Sequence, residues 1–266
     1  MPEDNPFETL QIACDTRGVA TLTLDRAIKH NALNAQMIAE LRRAAQQLGN
    51  DATVRIVVLA SAGKSFCAGG DLEWMREQAD HDRATKIAES TQLAHMLHDL
   101  DSLPKPLLAK VQGAAYGGGL GLMSVSDIVV ASENAQFALT ETRLGLIPAT
   151  IGPYVVRRLG EGNARRVFMN GRIFSARDAV GLGLVARAVP DDALDQAVED
   201  EVAPFLACAP GAVAAAKALA LHLARNPGVD QRSYTAERLA DRWETDEAQA
   251  GIAAFFARRK PPWNAD

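Results

Sequence analysis

Two short segments combine glycines with polar neighbours in a way that could do chemistry. "AGKSFCAGGDLEWM" (62–75) follows the apolar run "RIVVLAS" (55–61), and "QGAAYGGGLGL" (112–122) follows "LLAKV" (107–111). Each reads as a strand, then a glycine loop, then a helix start. Glycine is a poor helix-interior residue, so Gly117–Gly119 and Gly121 need a reason other than helix stability. N–H groups at such turns and helix N-termini lack a carbonyl partner and can hold an oxygen that turns negative during reaction. Two of them aimed at one point form an oxyanion hole, often the dominant source of transition-state stabilisation in acyl chemistry. The plainer alternative is that the glycines only let helix pack closely on strand. Asp71 is placed to cap the helix that follows the first loop.

The elements that must position these loops alternate. "VATLTLD" (19–25) is a strand by its alternation and its β-forming residues. Asn34 reads as the N-cap of a helix with Met37, Leu41, Ala45 and Leu48 on one face. "RIVVLAS", "LLAKVQG" (107–113) and "DIVVASE" (127–133) are short continuous apolar runs, the mark of buried parallel strands. A helical region from about Asp82 to Leu103 lies between the first two. The pattern predicts an α/β fold with parallel pairing. Beyond residue 195 the chain reads as helix, punctuated by Pro204, Pro210 and Pro227.

Composition narrows the function classes. The 266 residues are 48% hydrophobic and 23% charged, which suits one large globular domain and excludes disorder. A net charge of −5 argues against a nucleic-acid partner, which normally needs a basic face. The basic clusters "RRLGEGNARR" and "ARRKPP" read equally well as solvated helix faces. Cys14, Cys67 and Cys208 fit neither a disulfide framework nor a zinc pattern, which points to a reducing compartment. No signal peptide or membrane span is evident, so a cytoplasmic location is expected. "SAGKS" (61–65) has Val58 where a phosphate loop needs glycine, and "GLGLVA" (181–186) sits in the wrong order for a dinucleotide fold. His95 and His98 lack a ligand partner and read as a surface pair, so no metal is expected.

"SFCAGGDL", "QGAAYGGGLGL" and "DIVVASENAQFALTETRLGLIP", in that order, resemble the crotonase superfamily of enoyl-CoA hydratases and isomerases. The likeness runs from "TLTLDRAIKHNALNAQM" to "FFARRKPPW". It implies a core of repeated ββα units wound into a superhelix over residues 1–195, and a helical trimerisation region over 196–266. "YGGGLGL" with "LTETRLGLIPATIGPYVVRRLG" is most similar to bacterial hydratases of 3-methylglutaconyl-CoA or isohexenylglutaconyl-CoA. By the same resemblance the N–H groups of Gly70 and Gly118 hold the thioester oxygen. Ala68, Asp71 and Leu72 lie where the adenine of CoA is cradled, and Arg26 and Lys29 lie near its phosphates. Phe255 and Arg258 match positions that reach a neighbouring subunit's CoA. A homotrimer or homohexamer is implied, with no cofactor beyond the CoA carried by the substrate.

The chain departs from the pattern at one point. Simple hydratases carry two catalytic glutamates, and the first of these positions is Gly121 here; the second is Glu141. Acid–base work therefore falls on Glu141, whose other reading is a helix-start acid on a surface loop. Gly121 is expected to make room for a bulkier or carboxylated acyl chain. Asp71, Glu73 and Glu77 are read as cap and first-turn acids rather than substitutes. A Δ3–Δ2 enoyl-CoA isomerase, which needs one glutamate, is the rival of the same fold. A non-catalytic CoA- or RNA-binding protein is the rival of another class.

Overall fold

The computed structural model describes residues 6–264, which form ten strands and ten α-helices. Strands β1 (Leu10–Cys14) and β2 (Val19–Leu24) make an antiparallel pair. Asn34 caps α1 (Ala35–Asn50) by accepting from the Met37 N–H at 3.0 Å, and Met37, Leu41, Ala45 and Leu48 are all buried, as the pattern predicts.

Three ββα units then follow. The first is β3 (Ile56–Ser61), β4 (Ser65–Cys67) and the helices α2 (Leu72–Asp80) and α3 (Arg83–Asp101). The second is β5 (Leu107–Val111), β6 (Ala114–Tyr116) and α4 (Gly118–Val125). The third is β7 (Ile128–Ser132), β8 (Gln136–Ala138), a 3-10 turn over Glu141–Leu144 and α5 (Gly152–Phe168). The first strand of each unit joins a six-stranded sheet and the second a four-stranded sheet, completed by β9 (Phe174–Ser175) and β10 (Arg187–Val189). The large sheet has the order β1-β2-β3-β5-β7-β10, and all its pairs except β1–β2 are parallel. In the small sheet β4, β6 and β8 are parallel neighbours. This is the repeated ββα layout that the resemblance implies.

The apolar runs are continuous because both sheet faces are covered. Val57 and Leu59 of β3 face the main core, while Ile56 and Val58 pack with Leu108 and Val130 against Leu194, Ala197, Val198 and Val202. Those four belong to α7 (Leu194–Leu206), which follows α6 (Ala176–Gly181); the 195/196 boundary drawn from sequence thus falls inside a helix of the core. Beyond it, α8 (Pro210–Arg225) and α9 (Arg232–Trp243) bury no residue, and α10 (Asp246–Phe256) buries only Ala254. No single helix among the described residues is long and apolar enough to cross a membrane. Residues 1–5 and 265–266 of the two predicted regions lie outside the described residues.

Candidate active site

Because β4, β6 and β8 run parallel and adjacent, the segments that leave their C-terminal ends emerge side by side. Those segments carry Gly70, Gly118 and Glu141. A crevice beyond the carboxyl ends of parallel strands is the usual place for a ligand in α/β proteins.

The first loop is set by Leu33. Its N–H donates to the Gly69 carbonyl at 2.7 Å and its carbonyl accepts from the Asp71 N–H at 2.9 Å, a parallel bridge centred on Gly70. Such a bridge uses the neighbours of the central residue, so the Gly70 amide turns to the opposite side. Gly69, at φ +97°, and Gly117, at φ +46°, hold conformations that favour glycine. Here they also meet: a β-carbon on Gly69 would lie 3.2 Å from the Tyr116 carbonyl oxygen, and one on Gly117 would lie 3.8 Å from the Gly69 α-carbon. Gly118 opens α4, where the first N–H groups have no carbonyl a turn earlier. Its α-carbon is covered by Leu33 Cδ1, which would stand 2.7 Å from a β-carbon there. One leucine therefore holds one loop by its backbone and the other by its side chain.

Glu141 begins the 3-10 turn after β8. Its Oε1 lies 3.0 Å from the place a Gly117 β-carbon would occupy, and its Oε2 is buried with no hydrogen-bond partner among the described residues. Burial raises the pKa of this carboxyl above the ordinary glutamate value, against one opposing hydrogen bond from its own backbone. A surface acid would show none of this. Glu141, Gly70 and Gly118 line one cavity of about 440 Å³, whose apolar wall includes Leu146, Ile147 and Ile151.

A second cavity of about 510 Å³ shares Gly70 and is lined by Ile28, Lys29, Ala68, Asp71 and Leu72 among others. Asp71 caps α2 through the Glu73 N–H at 2.9 Å and accepts from Arg26 Nη2 at 2.9 Å. Burial opposes ionisation of Asp71, but the Arg26 guanidinium and the two capping amides outweigh it and hold the carboxyl below its ordinary range. Arg26 also donates to the Ala32 carbonyl, and it lines neither cavity. It braces the loop rather than facing the cleft. Lys29 pairs with Glu73 at 3.1 Å, which leaves Glu73 a first-turn acid, as expected, and Glu77 is exposed. Leu72 is 77% exposed at the mouth of the second cavity. Phe255 and Arg258 line neither cavity; Phe255 lies exposed near the end of α10.

The expectation that Gly121 makes room for substrate is overturned. A β-carbon on Gly121 would stand 2.5 Å from Ile151 Cγ2 and 3.4 Å from Leu97 Cδ2. Ile151, 2% exposed, fills the space, so the glycine accommodates the chain's own isoleucine. Sequence reasoning also missed Asn31, a fully buried residue at φ +53°. Its Nδ2 donates to the carbonyls of Ala62 and Ser65 at 2.8 and 2.9 Å, tying the loop before α1 to the first glycine loop. The signal was present as "HNAL", since asparagine tolerates the left-handed conformation better than most residues. Half of the "RRLGEGNARR" cluster is not a solvated face either: Arg157 pairs with buried Asp101, and Arg158 donates to the Ser126 carbonyl at 2.6 Å. Among the described residues no group of three His, Cys, Asp or Glu could hold a metal.

Stacked ββα units, with the candidate site at one end of the four-stranded sheet, define a crotonase-type fold. The chain belongs to the enoyl-CoA hydratase/isomerase family, whose profile matches residues 15–266. A solved enoyl-CoA hydratase from Shewanella pealeana is 38% identical with a TM-score of 0.93, covering 98% of this chain and 97% of that one. An enoyl-CoA hydratase structure from Mycobacterium smegmatis is 35% identical with a TM-score of 0.91, covering 97% and 100%. The 1,2-epoxyphenylacetyl-CoA isomerase of Escherichia coli is 32% identical over 92% of this chain and 94% of its own length.

Proposed function

We propose that this enzyme adds water across the 2,3 double bond of a 2-enoyl-CoA thioester, with a backbone oxyanion hole and a single glutamate. The observation that carries this reading is the buried Glu141 carboxyl facing the Gly117 turn, in the cavity that Gly70 and Gly118 also line. The N–H groups of Gly70 and Gly118 donate to the thioester oxygen. Glu141 takes a proton from water as the water oxygen bonds to C3. The π electrons move through C2 onto the thioester oxygen, where the two donors strengthen their hold. The enolate then collapses and C2 receives the proton from Glu141. A carboxyl whose pKa burial raises is a stronger base than an ordinary glutamate, which suits it to take the proton from water before returning it to C2.

Lys29, Ala68, Asp71 and Leu72 would receive the CoA moiety, with Arg26 positioning Asp71. The acyl chain we favour is branched, of the 3-methylglutaconyl type, on the likeness of the "YGGGLGL" and "LTETRLGLIP" segments. We further propose a trimer or hexamer built on the C-terminal helices, in which Phe255 and Arg258 reach a neighbour's substrate.

The second reading is a Δ3–Δ2 enoyl-CoA isomerase, favoured by the lone carboxylate and by a relative that is named an isomerase. Product analysis separates the two. Hydroxyacyl-CoA from a 2-enoyl thioester supports hydration, and double-bond migration from a 3-enoyl thioester without water uptake supports isomerisation.

A further inference from the structure

The glycines of α4 rest on different neighbours. A β-carbon on Gly119 would meet the Cys67 carbonyl oxygen at 2.5 Å and Ala115 Cβ at 3.3 Å, so β4 and β6 fix that residue. One on Gly121 would meet Ile151 and Leu97. At Gly118, Leu33 supplies the only atoms within 4 Å of that point among the described residues, apart from the chain neighbours and the backbone of α4 itself: Cδ1 at 2.7 Å and Cγ at 3.7 Å. Gly118 has no side chain with which to hold its own place, so one leucine bounds it on that side. Leu33 in turn is 2% exposed and firmly tied. The His30 carbonyl accepts from the Ala68 N–H at 3.0 Å, the Leu33 backbone clasps Gly69 and Asp71, and Asn34 caps α1. Leu33 thus has its backbone on the loop of one donor and its side chain against the other, and it lines the cavity that holds Glu141.

We propose that Leu33 is a positioning residue for the reaction: the reach of its side chain sets the spacing of the Gly70 and Gly118 N–H groups, and with it their grip on the thioester oxygen. The inference rests on the reading of these two amides as the oxyanion hole. Removing one such donor costs about 10²–10³-fold in kcat, and a misplacement of about 1 Å can cost about 10²-fold. Valine has no δ-carbon and alanine stops at Cβ, yet neither disturbs the backbone bridge, whose bonds use no side-chain atom. What each removes is the cover of Gly118, whose turn then relaxes toward the gap. Negative charge reaches the thioester oxygen only as the bonds change, so a looser grip acts on the transition state more than on bound substrate. The expected signature is a lower kcat at an unchanged KM.

Two measurements test this, and the first needs no turnover. Butyryl-CoA, saturated and isotopically labelled at the thioester carbonyl carbon, is titrated into the enzyme and followed by NMR. Hydrogen bonds to the oxygen draw electron density from that carbon, so its resonance should move downfield on binding, and Leu33→Val should lose part of the displacement. In hydration of crotonyl-CoA, Leu33→Val should lower kcat about 10-fold and Leu33→Ala about 10²-fold, with KM held within about threefold. Leu33→Met keeps the reach and nearly the volume, so both readouts should return close to those of the parent. Leu41→Ala is the control for lost packing: Leu41 is fully buried on α1 and lines neither cavity. It should lower Tm as Leu33→Ala does while kcat and the bound carbonyl resonance stay unchanged. No downfield displacement in the parent overturns the oxyanion-hole reading beneath the inference. A displacement that Leu33→Val leaves intact, a raised KM at unchanged kcat, or an equal loss of kcat in Leu41→Ala overturns the role of Leu33 alone.

Discussion

Ile151 Cγ2 lies 2.5 Å from the point where a β-carbon on Gly121 would stand, so the space beside Gly121 is closed by an isoleucine. Two effects of a Gly121→Ala change oppose each other. Alanine in a helix interior gains about 1 kcal/mol over glycine, while overpacking a buried contact costs about 1–3 kcal/mol. The clash should win, because Ile151 is buried at the start of α5. Gly121→Ala is expected to lower the denaturation midpoint at constant m-value, and in an Ile151→Ala background the same change should become neutral or stabilising. Stabilisation by Gly121→Ala in the unaltered protein would show that Ile151 does not fill the space.

The raised pKa of Glu141 links activity to stability. A carboxyl whose folded pKa exceeds its unfolded value stabilises the fold fully below the unfolded value and loses that contribution as pH rises through the folded one. Glu141→Gln should therefore melt higher than the parent at pH 7–8, with the difference closing toward pH 4. Its kcat should fall about 10²–10⁴-fold, the usual worth of a general acid–base. In the parent enzyme kcat should decline in acid starting above the ordinary glutamate range. A variant that keeps its hydration rate sinks the single-glutamate mechanism.

Much of this arrangement is legible in the chain and some is not, for physical reasons. Asn34, Asp71 and the apolar runs of β3, β5 and β7 act locally, so caps and strands can be read from short windows. The pairing of the two glycine turns is half local: each turn is visible, but their meeting depends on β4 and β6 becoming parallel neighbours and on Leu33 spanning both loops. What fills the space at Gly121 is set by Ile151, thirty positions further on and brought there by the packing of α4 on α5. No spacing rule encodes that contact. The brace that Arg26 forms for buried Asp71 is equally non-local, since the two residues are 45 positions apart.

The Arg26–Asp71 pair gives a pH-dependent prediction of opposite sign. The Asp71 carboxyl is held below its ordinary value, so its stabilisation is present above the unfolded value of 3.8 and is lost as pH falls through the lower folded value. Asparagine still caps a helix, so Asp71→Asn isolates the ion pair from the cap. The variant should lose about 1.5–3 kcal/mol at pH 7, the worth of a hydrogen bond to a charged group. Its deficit should narrow below pH 3.8. KM for the CoA thioester should rise while kcat changes little, because the brace holds the loop that lines the second cavity. A loss of kcat at unchanged KM would place Asp71 in the chemistry instead.

Phe255 and Phe256, each 79% exposed and packed edge to face at 5.7 Å, close α10 beside two helices that bury nothing within the chain. Burying a phenylalanine side chain is worth about 1.5–3 kcal/mol, so two such rings left in water are a strong incentive for self-association. Replacing both with serine should shift the mass measured by light scattering from a trimer or hexamer toward the monomer. Hydrophobic burial varies little with ionic strength, so the parent assembly should persist at high salt, unlike one held by surface ion pairs. If Phe255 also touches a neighbour's substrate, the single Phe255→Ser variant should raise KM even at concentrations where it remains assembled. An unchanged mass in the double variant would place the subunit contacts elsewhere on the molecule.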